Sequence, residues 1–195
     1  HKMSVLGELQ PNKVFKYFEE ICSIPHGSRN LQQISDYLVD FAKAHELKYR
    51  QDEDLNVIIW KDGSKGYEAS EPVILQGHMD MVAVKEADCD KDMEKEGLDL
   101  EINGDYISAK GTSLGGDDGI AVAYTLAVLD DEEMAHPPIE AIFTVNEEIG
   151  MLGAATIDVS DLKGRLFMNM DSEDEGVFTV SCAGGASVIC KIPYE

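Results

Sequence analysis

Four stretches of this chain run into residues that can bind a metal ion or move a proton. Pro72–Gln76 leads into Gly77-His78-Met79-Asp80, and Ile139–Val145 leads into Asn146-Glu147-Glu148. Leu166–Met170 leads into Asp171. A glycine-rich turn at residues 111–116 leads into Asp117-Asp118, ahead of an apolar, alanine-rich run. A carboxylate beside an apolar strand costs on the order of several kcal/mol unless something compensates it. One such group is balanced by a salt bridge. Several converging on one sheet edge, in a chain with only 16 basic residues, ask for a cation. Imidazole with several carboxylates suits Zn²⁺, Mn²⁺ or Co²⁺ better than Ca²⁺ or Mg²⁺, which take oxygen ligands.

Each motif alone has a plainer explanation. A histidine at a strand end is more often structural, adjacent acids are usually a solvated face, and Asp117-Asp118 could cap a helix. The period of two sharpens the first case. Residues 78 and 80 point to the same side, so Asp80 can hold the second nitrogen of His78. Glu147 and Glu148 are neighbours, point opposite ways and can hold different jobs. Two calcium-loop readings fail. Asp171–Gly176 begins like an EF-hand loop, but its twelfth position is Cys182; Asp88, Asp90 and Asp92 alternate correctly, but Met93 stands where glycine is required.

The elements that must position these groups follow from periodicity. Val14, Phe15, Phe18 and Ile21 share a helical face over residues 11–22, with Pro11 in the first turn. Ser28 can cap a second helix carrying Leu31, Ile34, Tyr37, Leu38 and Phe41. Strands are expected at 56–60, 72–76, 139–145, 166–170, 177–181 and 186–192. Asn103-Gly104 marks a hairpin between 98–102 and 106–108. Helices are expected at 118–129 and near 152–156. Strands alternating with helices mean a layered α/β domain with a mostly parallel sheet, whose ligands collect beyond the carboxyl ends of the strands. The charged run 85–96 reads as an exposed insertion.

Composition narrows the class. The 195 residues carry 38 acidic and 16 basic side chains, a formal charge of −22, with 44% hydrophobic residues. That is a folded domain with no basic patch for nucleic acid or an anionic membrane. Cys22, Cys89, Cys182 and Cys190 form no C-x-x-C pair, which argues against a thiolate zinc site or a disulfide framework. No apolar run reaches the roughly 18 residues of a membrane span, and no signal peptide is visible. The expected location is cytoplasmic. His1 and Lys2 read as an addition ahead of a natural start at Met3.

The strings GHMDMV, GTSLGGDDGIAVA, NEEIGMLGA and MNMDSE, in this order, resemble the co-catalytic zinc exopeptidases related to glutamate carboxypeptidase. With FKYFEEICSIPHGSRN and NMDSEDEG, the chain is most similar to their aminoacyl-histidine dipeptidase branch. The resemblance implies a three-layer α/β/α catalytic domain, of which residues 3–195 form the N-terminal part. It implies two Zn²⁺ per full-length active site, with Co²⁺ or Mn²⁺ as alternatives. His78 and Asp171 would bind one metal, Asp117 would bridge both, followed by Asp118 through a strained peptide bond, and Glu148 would bind the second. Glu147 would be the general base, and Asp80 would orient His78. The implied reaction is hydrolysis of small peptides, Xaa-His dipeptides first, by an enzyme compatible with a homodimer. Alternatives are a deacylase or tripeptide aminopeptidase of the same superfamily, or a non-catalytic metal-binding domain. The family also has a further metal-ligand histidine and an inserted lid domain. None of His1, His26, His45 or His136 stands in the matching context, so this stretch by itself is expected to be inactive.

Overall fold

The structure, a computed structural model, describes residues 4–194; His1, Lys2 and Met3, read above as an addition and a start, lie outside the described residues, as does Glu195. Helix α1 (Asn12–Cys22) follows Pro11, whose extended backbone leads into the first turn, and buries Val14, Tyr17, Phe18, Ile21 and Cys22. Helix α2 (Gln32–Ala44) buries Ile34, Leu38 and Phe41 at the same three-to-four spacing. Ser28 does not cap it. The helix starts at Gln32 without a side-chain cap, and the Ser28 hydroxyl donates instead to Asp80 Oδ2 at 2.7 Å. A buried carboxylate is the stronger acceptor partner for that hydroxyl.

The central sheet contains β1 (Lys48–Gln51), β2 (Val57–Lys61), β3 (Val73–His78), β6 (Ile139–Thr144) and β7 (Leu166–Asn169), in the order β1-β2-β6-β3-β7. β3 pairs in parallel with β6 and β7, whereas β2 is antiparallel to both β1 and β6. β2 therefore runs against the other four strands of the sheet, which share one direction. A separate hairpin joins β4 (Leu100–Asn103) to β5 (Tyr106–Ala109); Asn103 pairs with Tyr106 and Gly104 takes the left-handed conformation that this turn needs.

Alternation sorts the strands into two faces. Val57, Ile59, Leu75, Ala141 and Phe143 meet α1, α2 and α3 (Gly116–Asp130) in the main core. Ile58, Ile74 and Ile142 face the other way, under Trp60, Ile157 and Leu162, just beyond α4 (Leu152–Thr156). α3 is packed against α1 as well as β3, and so is apolar nearly all round. Gly119 lets the two helices close up: a Cβ there would stand 3.3 Å from the Phe18 ring.

Two further expectations fail and one strand is new. Residues 177–181 and 186–192 form no strands; Phe178, Val180, Val188 and Ile192 are almost fully exposed. Apolar runs joined by Gly184-Gly185 have neither a ladder partner nor a face to bury against here, and pattern without pairing does not make a strand. β1 has the sequence Lys-Tyr-Arg-Gln, without apolar alternation. It is held by its ladder to β2 and by Lys48 Nζ, 4.4 Å from the centre of the Trp60 ring. Charged side chains of this kind protect a sheet edge from further pairing.

Candidate metal centre

The candidate residues gather at the carboxyl end of β3, β6 and β7 and at the start of α3. His78 is the last residue of β3. Glu147 and Glu148 follow β6, and Asp171 follows β7. Asp117 and Asp118 lie in the first turn of α3 and are joined by a cis peptide bond. Gly77 is what lets α3 come so close. A Cβ on it would lie 2.8 Å from Asp118 Oδ2 and 3.0 Å from the Ala121 methyl. Asp118 Oδ2 accepts the His78 backbone N–H at 3.1 Å.

His78 is 1% exposed. Its Nδ1 lies 2.9 Å from the Asp80 carbonyl and 3.3 Å from Asp80 Oδ1. Its Nε2 faces the carboxylates: Asp117 Oδ1 at 2.9 Å, Glu147 Oε2 at 3.9 Å and Asp171 Oδ2 at 3.9 Å. Asp80, also buried, accepts from Ser28 Oγ, from the Glu147 N–H at 3.0 Å and from the Glu148 N–H at 3.4 Å. Ser28 escaped the sequence reading because nothing local ties residue 28 to residue 80. A second clasp joins the same loops: the Arg29 N–H donates to Asn146 Oδ1 at 2.8 Å.

Electrostatics follow from crowding. Burial disfavours a charged His78, but the hydrogen bond to Asp80, the charges of Asp118 and Asp80 and the hydrogen bond to Asp117 push its pKa up to about 10. Burial, then the neighbouring Asp171 and Asp117 charges, push Asp118 up to about 7 against the opposing pull of His78. Glu147, Glu148 and Asp171 are raised as well, by burial first and by one another's and Asp117's charge next. Asp80 goes the other way: burial is outweighed by hydrogen bonds from His78, Ser28 and the Glu147 amide. Among the described residues no lysine or arginine pairs with these site carboxylates.

Such a set fits a divalent cation: one imidazole fixed through Nδ1, with Nε2 turned toward carboxylates whose mutual repulsion a cation relieves. Donor atoms of His78, Asp118 and Asp171 lie within 4.8 Å of one another, as do those of His78, Glu147 and Glu148. Of the two adjacent aspartates, Asp118 is the one that falls in the first of these groups, while Asp117 Oδ1 lies 2.9 Å from His78 Nε2. Asp118 Oδ2 is engaged by the His78 amide and Asp118 is 2% exposed, whereas the Asp117 side chain is 64% exposed and reaches Nε2. The other described histidines turn elsewhere: His26 to the Ile24 carbonyl, His45 to Asp130 and His136 to the Pro137 carbonyl.

The chain is 40% identical over 183 residues to the cytosol non-specific dipeptidase of Escherichia coli (strain K12), a match covering 94% of this chain and 38% of that protein. The crystal structure of aminoacylhistidine dipeptidase from Vibrio alginolyticus matches with a TM-score of 0.85 and 40% identity, over 88% of this chain and 35% of that one. The chain is thus related to these dipeptidases over nearly all of its own length. It spans well under half the length of these dipeptidases. No family model matches it. A Staphylococcus aureus tripeptidase structure shares the fold, with a TM-score of 0.70 at 23% identity over 86% of this chain and 45% of that one. The sheet with its helices is thus the architecture of a dipeptidase catalytic domain.

Proposed function

We propose that this chain is the N-terminal part of a metallopeptidase catalytic domain and carries most of the metal centre of a cytosolic dipeptidase acting on Xaa-His dipeptides. The observation that carries the reading is His78 Nε2 facing Asp117, Glu147 and Asp171 while Asp80 holds Nδ1. The share of the relatives' length that it spans supports the placement. Among the described residues no helix is long and apolar enough to cross a membrane.

In this reading His78, Asp117 and Asp171 would hold one Zn²⁺, and Asp117 with Glu148 would hold a second; Co²⁺ and Mn²⁺ would suit the same donors. Asp118 stays behind Asp117 as an anchor to the β3 backbone. Bound metal ions supply Lewis acidity, which makes water a nucleophile near neutral pH and polarises the scissile carbonyl. Glu147 has its carboxylate 3.9 Å from the imidazole and its backbone pinned to Asp80. It accepts the proton of the attacking water and returns it to the leaving amine. Asp80 keeps the His78 ring oriented. With one imidazole among the metal ligands, the 195 residues alone are expected to be inactive.

The test is metal content and turnover in the native-length protein. Two metals per protein, with cleavage of Xaa-His dipeptides well above that of N-acyl amino acids, is the expected result. Preference for N-acyl amino acids would move the reading to a deacylase, and metal binding without hydrolysis would reduce it to a binding domain.

A further inference from the structure

The side chains of Thr144, Gln76 and Asn169 form a hydrogen-bonded row across β6, β3 and β7, which are neighbours in the sheet. Gln76 Nε2 donates to Thr144 Oγ1 at 3.2 Å. Asn169 Nδ2 donates to Gln76 Oε1 at 2.6 Å, and these two residues are ladder partners. Asn169 Oδ1 accepts the Asp171 N–H at 3.2 Å, a turn that asparagine forms with the backbone two residues on. The direction of the row is fixed at this end. A backbone N–H only donates, so Asn169 turns its oxygen to Asp171. The Asn169 NH₂ then faces Gln76, which answers with its oxygen and has its own NH₂ left for the Thr144 hydroxyl. The period of two puts Gln76 on the same side of β3 as His78. The amides thus lie one tier beneath the imidazole, which Asp171 Oδ2 approaches to 3.9 Å.

We infer that this row sets the position of the Asp171 carboxylate, with Asn169 and Gln76 as positioning residues for the metal. The inference rests on the reading of Asp171 as a metal ligand. Asp171 needs such support more than the other ligands do. Among the described residues β7 pairs only with β3, from Leu166 to Asn169. Past that ladder one backbone bond remains, from the Met170 N–H to the Gln76 carbonyl at 3.3 Å. His78 stands on a strand with a neighbour on each side, and the amides of Glu147 and Glu148 are held by Asp80. Asn169 does for Asp171 what Asp80 does for the glutamates: it holds the backbone amide and leaves the carboxylate free for a cation. Thr144, buried at the end of β6, anchors the far end of the row.

Metal binding without substrate tests the row apart from turnover. The native-length protein is titrated with Co²⁺, and affinity and the visible spectrum of the bound ion are read. Asn169 is exposed, so Asn169→Leu removes both side-chain bonds at similar size without entering the core. It is expected to weaken Co²⁺ about tenfold or more and to change the spectrum. Asn169→Asp keeps the acceptor for the Asp171 amide, and Gln76 turned end for end still bonds it. The added charge favours a cation, so this variant is expected to keep the parent's spectrum and bind Co²⁺ no more weakly. Parent-like affinity and spectrum in Asn169→Leu, with or without a lowered melting temperature, would overturn the inference. So would Asn169→Asp failing as Asn169→Leu does. If Asn169→Leu does not fold, Gln76→Met decides, since it breaks the row one link further back; an unchanged spectrum there overturns the inference equally. Variants that respond as expected in a protein that cleaves no dipeptide leave the row's role standing and remove the dipeptidase reading. A parent that binds no Co²⁺ removes the metal centre and the inference together.

Discussion

Ser28 Oγ and the amides of Glu147 and Glu148 all donate to one buried carboxylate, Asp80, which also stands 3.3 Å from His78 Nδ1. Asp80 therefore links the imidazole to the backbone that carries both glutamates. Ser28 fixes its second oxygen. Partners that hold a metal-binding histidine typically contribute ~10–100-fold in affinity or activity. Ser28→Ala in the native-length enzyme is expected to weaken metal binding about tenfold and to perturb the visible spectrum of the Co²⁺ form. Ser28→Thr, which keeps the hydroxyl, restores both. An unchanged Co²⁺ spectrum with a lowered melting temperature would make Ser28 structural only. The adjacent glutamates allow the proposed division between chemistry and metal binding to be tested. Glu147→Gln is expected to cost ~10²–10⁴-fold in turnover with both metals retained, and Glu148→Gln to empty one metal position. If dialysis finds the reverse, the two roles must be exchanged.

At the scale of elements, the site depends on how closely α3 can approach β3. Gly77 sets that distance, because a methyl there meets Asp118 Oδ2 and Ala121 at 2.8 and 3.0 Å. Overpacking at such a contact typically costs about 1–3 kcal/mol. Gly77→Ala is expected to lower the urea midpoint accordingly and to weaken metal binding as well, since the start of α3 carries Asp117. Gly104→Ala gives the comparison: its Cβ would meet nothing within 4 Å, and its positive φ strains only the hairpin turn. It should lose some stability with metal affinity unchanged. Equal effects on metal binding in both variants would detach the α3 approach from the site.

For the whole molecule, pH sensitivity comes partly from His26, which is 2% exposed and bonded through Nδ1 to the Ile24 carbonyl. Burial lowers its pKa from 6.5, against smaller raising contributions from that bond and from Asp80. Below pH 6.5 the unfolded chain takes up a proton that the folded ring refuses. Stability from this residue is thus complete above about 6.5 and declines as the pH falls toward the lowered folded value. His26→Asn keeps a short donor and cannot titrate. Urea midpoints between pH 7.5 and 5.5 are expected to fall less in this variant than in the parent; parallel curves would exclude His26 as the source.

Runs of apolar residues and the groups that end them are local properties, so the sequence alone determined α1, α2, α3, β2, β3, β6 and β7 to within a few residues. It likewise nominated His78, Asp80, Asp117, Glu147, Glu148 and Asp171, because acidic groups after buried strands need an explanation wherever the strands lie. Pairing and approach are not local. β1 exists because β2 offers an edge to a polar segment, and the runs at 177–192 remain unpaired because no edge receives them. Ser28 was read as a helix cap and became a ligand of Asp80, 52 residues away, because a buried carboxylate draws in any nearby donor. The tertiary structure likewise decided that Asp118 bonds the β3 backbone while Asp117 faces His78. Two adjacent aspartates are alike in sequence, and only the packing of α3 against Gly77 distinguishes them.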